Sequence, residues 1–142
     1  MSLPGFGQLA DQFRGPEGFS LVLDRYELPR GESLVATVQV TDPSLISGTF
    51  ELGLVCIERW AEYHSHAGSD ARSHRSVYQA PIYQWWIPLD RNRARTDLTL
   101  PVVPEAPFSH VGSALSFLWT VTARDRRSGF DRIDRHELTV LP

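Results

Sequence analysis

From Phe19 onward, apolar residues fall at every second position, the period of a strand with one face buried and one face wet. Phe19, Leu21 and Leu23 alternate with Ser20, Val22 and Asp24, and Arg25 to Glu32 reads as a turn carrying Pro29 and Gly31. Leu34, Ala36, Val38 and Val40 then alternate with Val35, Thr37, Gln39 and Thr41, until Asp42, Pro43 and Ser44 end the strand. Phe50, Leu52, Leu54 and Cys56 line the next apolar face, opposite Glu51, Gly53, Val55 and Ile57, in a run that extends to Trp60. The stretch Ala61 to Ser76 is polar, holds neither period and reads as a long loop or hairpin tip. Strand character returns from Val77 to Leu89, where Pro81 and Pro88 demand an edge position or a bulge because proline cannot donate to a ladder. Leu98 and Leu100 lead into Pro101, Pro104 and Pro107, a stretch that must be extended but cannot pair fully. The clearest alternation, Leu115, Phe117, Trp119, Val121 and Ala123, is followed by a Ser128-Gly129 turn and a last strand from Ile133 to Leu141.

About seven strands with no core-length helix between them predict an all-β fold. A two-sheet antiparallel sandwich of arrestin or immunoglobulin type buries one face of each strand, with a closed barrel as the second choice. Residues 1–18, rich in Gly and Pro, read as an N-terminal arm, and residues 19–142 as one sandwich domain.

Composition narrows the function classes. A chain of 142 residues with 42% hydrophobic and 22% charged residues has the makeup of one ordinary globular domain, not of a disordered segment. No apolar run reaches the ~18 residues of a transmembrane helix, and the first residues lack the basic start and apolar stretch of a secretory signal, so a cytoplasmic location is the expectation. The net charge of -3 and scattered positive residues leave no basic face for a phosphate backbone, which argues against nucleic acid as a partner. All 14 basic residues other than histidine are Arg, a skew that suits a GC-rich bacterial genome. With Cys56 as the single cysteine, neither an internal disulfide nor a multi-thiolate zinc site can form within one chain.

Three segments together resemble the arrestin-like family, the β-sandwich of arrestins, retromer cargo adaptors and bacterial sporulation-control proteins. Phe19 to Leu34 is similar to its opening hairpin, with a Gly-Glu turn into a Val-rich strand. Leu100 to Ser109 is similar to its Pro-rich crossing, and Gly112 to Arg124 to the aromatic strand that follows. The resemblance covers one sandwich where arrestins have two, so their interdomain latch and receptor groove do not transfer. It implies a non-enzymatic adaptor or scaffold that binds a protein partner or further copies of itself, with no cofactor.

Among candidate sites, Tyr78, Tyr83, Trp85 and Trp86 stand out. Adjacent Trp residues in a strand point to opposite faces, so one indole is expected to face outward, where aromatic side chains serve as interface anchors. His64, His66 and His74 suggest a metal site or a small hydrolase as the alternative, but no helix or firm strand is expected to orient them, and solvated loop histidines are the better reading. Cys56 belongs to an apolar series and reads as a buried, inert thiol. The alternating charges from Arg124 to Glu137 read as solvated surface. A structural subunit of a larger assembly, using the arm as an exchanged element, is the third possibility.

Overall fold

The computed structural model describes residues 16–65 and 73–142. Nine strands follow in order: β1 Phe19–Leu23, β2 Glu27–Pro29, β3 Ser33–Val40, β4 Thr49–Ser65, β5 Ser73–Pro88, β6 Arg95–Pro101, β7 His110–Val111, β8 Leu115–Arg126 and β9 Asp131–Leu141. They form two sheets, a smaller one in the order β1-β3-β6 and a larger one in the order β2-β9-β8-β4-β5, with β7 pairing beside β8. The chain is thus an all-β sandwich, as the alternation predicts.

The core is made by the alternating series facing each other across the two sheets. Leu21, Leu34, Ala36, Val38 and Leu100 from the smaller sheet meet Leu52, Leu54, Cys56, Trp119, Val121, Ala123, Leu138 and Val140 from the larger, all nearly or fully buried. Each buried Leu or Val among them contributes about 1.5–3 kcal/mol through burial. Trp119 keeps its indole N–H satisfied by donating to the Pro107 carbonyl at 2.8 Å, which ties the Pro-rich crossing onto the large sheet.

Four readings of the sequence change. Arg25 to Glu32 is not wholly a turn: β2 runs parallel to β9, pairing Leu28 with Val140 and sealing it at full burial. Three residues are too few to show a period. Of the two readings of Ala61 to Ser76, the hairpin is the one that fits, with more strand than expected: β4 runs to Ser65 and pairs antiparallel with β5, which begins at Ser73. β8 stops pairing with β4 at Trp60, so beyond it the β4–β5 ribbon has no further strand beside it among the described residues, and polar residues there erase the alternation. β7 is a further short strand that the sequence does not signal. Finally, Asp125 is not solvated surface. It continues the inward series Phe117, Trp119, Val121 and Ala123 and is completely buried. Its carboxylate accepts from the Gly48 and Ser47 amides at 2.7 and 3.2 Å and pairs with Arg127 at 2.7 Å. The proposed arm lies outside the described residues except for its last three; there, the Gly18 carbonyl accepts from the Thr41 and Asp42 amides.

The flanks of the sandwich differ. On the β1/β9 side, Asp134 accepts the Leu21 amide at 2.8 Å, and Arg132 reaches the carbonyls of Leu45 and Glu17. Side chains therefore lace that flank shut. On the other side, β5 and β6 are the two free edges, and no hydrogen bond or ion pair joins them among the described residues.

Candidate interaction surface

β5 is the outermost strand of the large sheet, and its two prolines fit that place. Leu89 donates its amide to the Phe50 carbonyl, and antiparallel ladders alternate, so odd-numbered residues of β5 near its end bond to β4 while Pro88, Trp86 and Gln84 turn their nitrogens outward. The register then slips by one between Cys56 and Ile57, which pair with Tyr83 and Pro81 and leave Ile82 as the extra residue. The slip keeps Pro81 on the outward side as well. Both missing N–H groups thus fall on the open edge, where no strand asks for them.

The register also assigns the faces. Trp85 pairs with Leu54, Tyr83 with Cys56 and Ile87 with Leu52, so these three share the inner face. Whereas Leu52, Leu54 and Cys56 are fully buried, Tyr83 and Ile87 are half-buried and Trp85 is 38% exposed. The smaller sheet does not cover β5 completely. Tyr83 packs on the Trp119 ring at 5.6 Å, so part of its role is structural.

Trp86 takes the opposite, outer face, opposite Gly53. A Cβ at Gly53 would lie 2.4 Å from the indole carbons, so only glycine lets the ring lie flat on the sheet. The Arg124 guanidinium stacks 3.5 Å from the ring centroid and pairs with Glu51 at 2.8 Å. Trp86, Val55, Ile57, Ile133 and Arg135 border a shallow depression of about 300 Å³ on this outer face. Tyr78 is 41% exposed and stacks on Trp60 at 5.8 Å, further along the ribbon.

The four aromatic residues expected from the sequence therefore do not make one patch. Trp85 and Tyr83 lie at the β5/β6 flank, Trp86 on the outer face, and Tyr78 with Trp60 on the ribbon. Sequence reading missed Trp60 as a partner of Tyr78, and missed Gly53 as the signal that a large ring lies across the strand. It also missed a second depression, about 320 Å³, where Arg30 lies 5.6 Å from the Phe108 ring near Phe117 and His110.

His64 and His74 pair across the ribbon backbone, and His66 lies outside the described residues. Cys56 is fully buried, and burial, with a smaller contribution from Glu58, pushes its thiol up to about 11. A thiol held protonated in this way is a poor nucleophile at neutral pH. No helix among the described residues is long and apolar enough to cross a membrane.

No protein-family model matches the chain. No curated protein matches it by sequence either. Among solved structures, it is similar to Spo0M, a sporulation control protein from Bacillus subtilis, at 16% identity and a TM-score of 0.47. The likeness covers 86% of this chain and 48% of Spo0M, so the chain spans about half the length of that protein. A beta-glucosidase mutant from Listeria innocua, solved with laminaribiose, is similar at 19% identity and a TM-score of 0.32, over 87% of this chain and 16% of the enzyme.

Proposed function

We propose that this chain is a non-enzymatic interaction module that docks a protein partner along the flank formed by β5 and β6. The observation that carries this reading is the contrast across one rung of the large sheet: Leu54 is fully buried, while its neighbour Trp85, on the same inner face, keeps 38% of its surface in water. A large indole at a sheet margin has two rotatable bonds and much apolar area, which gives strong contact energy at small entropic cost. Tyr83, Ile87 and Leu98 are half-buried around the same margin and extend the apolar area. Trp86 and Tyr78 differ, because Arg124 and Trp60 already cover one ring face of each.

The test is affinity capture from the native organism by wild type and by a Trp85→Ala variant of verified fold, followed by mass spectrometry and a measured affinity for the captured protein. The expected result is one stoichiometric partner whose affinity falls by about thirtyfold or more in the variant, the weight of an interface anchor. Equal capture by both proteins refutes the assignment of this flank.

A further inference from the structure

The smaller sheet lacks a strand at the place where β5 is uncovered, and β6 holds the edge on which such a strand would form. Val40 donates its amide to Ala94, and Val102 donates to Glu32, two bonds that lie in the same register as the β3–β6 ladder. Even-numbered residues of β6 therefore bond to β3, and the odd-numbered ones, Arg95, Asp97 and Thr99, turn their N–H and C=O groups to the open side. No partner for these groups exists among the described residues. Pro101, which has no N–H to offer, closes the run at one end and the Asp90–Arg93 turn closes it at the other. The open stretch is thus five residues long, from Arg95 to Thr99.

Two other edges are partly closed among the described residues. The outward Leu21 amide of β1 is taken by Asp134, and the outward edge of β5 is interrupted by Pro81 and Pro88. At β6, three successive outward N–H groups lie free among the described residues, at the margin where Leu98 and Tyr83 are half-buried and Trp85 is exposed on the inner face. Backbone donors and acceptors demand an extended chain, and an apolar floor demands an apolar residue at every second position.

We propose that β6 is a strand-addition site that takes an extended segment of a partner protein, apolar at alternate positions, which pairs with Asp97 and Thr99 and covers Trp85. This deepens the interaction reading above and rests on it. Pairing of β6 with β6 of a second copy is the competing outcome, which the test below distinguishes. The pairing needs no side-chain specificity beyond the alternation, since its backbone bonds are the same for any sequence without proline at the paired positions.

The test titrates full-length protein with a synthetic peptide, acetyl-Lys-Val-Thr-Val-Thr-Val-Lys-amide, and follows amide hydrogen exchange by NMR. At saturation, exchange at the Asp97 and Thr99 amides slows at least tenfold, Leu98, already bonded to β3, changes little, and Trp85 fluorescence shifts to the blue. Thr99→Pro removes one outward N–H that bonds nothing within the chain, and abolishes the protection, while Thr99→Val retains it. Absence of binding overturns the proposal, as does protection that falls on β9 or on the outer face, or a peptide-free dimer that protects the same two amides. A captured partner that needs Trp85 yet binds the Thr99→Pro variant at full affinity sinks strand addition alone and leaves the interaction reading standing.

Discussion

Replacing Asp125 by alanine removes a carboxylate with no exposed surface from the end of the inward series on β8. Four contacts go with it: the Gly48 amide at 2.7 Å, the Ser47 amide at 3.2 Å, Arg127 Nε at 2.8 Å and Arg127 Nη2 at 2.7 Å. Breaking a buried ion pair by removing one partner costs about 3–5 kcal/mol where the survivor stays buried. Here Arg127 keeps 23% of its side-chain surface in water and Ser47 and Gly48 are exposed, so the orphaned donors can turn to solvent, and the loss falls near the lower bound, about 3 kcal/mol. Asp125→Asn keeps an acceptor for the Gly48 amide but presents an NH₂ group where Arg127 now donates, and costs about 1–3 kcal/mol as a lost charged hydrogen bond. Urea denaturation measures both: the midpoint drops in the order wild type, Asn, Ala, with unchanged slope, and the melting temperature of Asp125→Ala falls by roughly 10 °C. A loss below about 1 kcal/mol for Asp125→Ala refutes the view that this carboxylate ties the β3–β4 connection to β8.

Gly53→Ala drives a methyl group into the Trp86 ring, and is expected to cost about 1–3 kcal/mol and to alter the near-ultraviolet circular dichroism of that indole; an unchanged spectrum and midpoint would contradict the packing described. Trp85→Ala, at a margin already 38% exposed, costs about 1–2 kcal/mol, well short of the ~3–5 kcal/mol of a buried aromatic, as read from the same denaturation curves. Cys56 does not react with a thiol reagent at pH 8 until the chain unfolds. Because its folded thiol is raised to about 11 from the ordinary value of 9.0, its contribution is fully present below about pH 9 and is lost as pH rises through about 11. Cys56→Ala flattens that alkaline decline in midpoint. Asp97 runs the other way: bonds from Thr37 and then Arg95 hold its carboxyl below the usual range, so any contribution is lost as pH falls through the acid limb, and Thr37→Val raises the carboxyl toward its ordinary value in an NMR titration.

The strands that form the core were legible because both of their faces have a definite environment. Leu34 to Val40 alternates since one side meets the opposite sheet and the other is partly open to water, and Leu115 to Ala123 alternates in residue type although Ser116 and Thr122 on its outer side are themselves buried. Pro81 and Pro88 marked β5 as an edge for a reason that the hydrogen-bond parity makes concrete. What could not be read depends on contacts distant in sequence. Asp125 looks like the start of a charged turn, and beside its neighbour Arg127 it takes the amides of Ser47 and Gly48, 78 and 77 residues away, to make its burial tolerable. β2 owes its existence to β9, not to its own three residues. Alternation placed Trp85 and Trp86 on opposite faces, but which one faces the partner sheet follows from the pairing of Leu54 with Trp85, and the gap beside it from the smaller sheet having one strand too few.

Where a partner lies on the molecule is directly measurable. Amide hydrogen exchange of the full chain, free and in complex with its captured protein, measures this without prior choice of residues. Protection centred on Arg95 to Thr99, with the Tyr83 to Ile87 stretch beside it, is the predicted result. Protection confined to the outer face around Trp86 and Arg124, or to the β1/β9 flank, would contradict it.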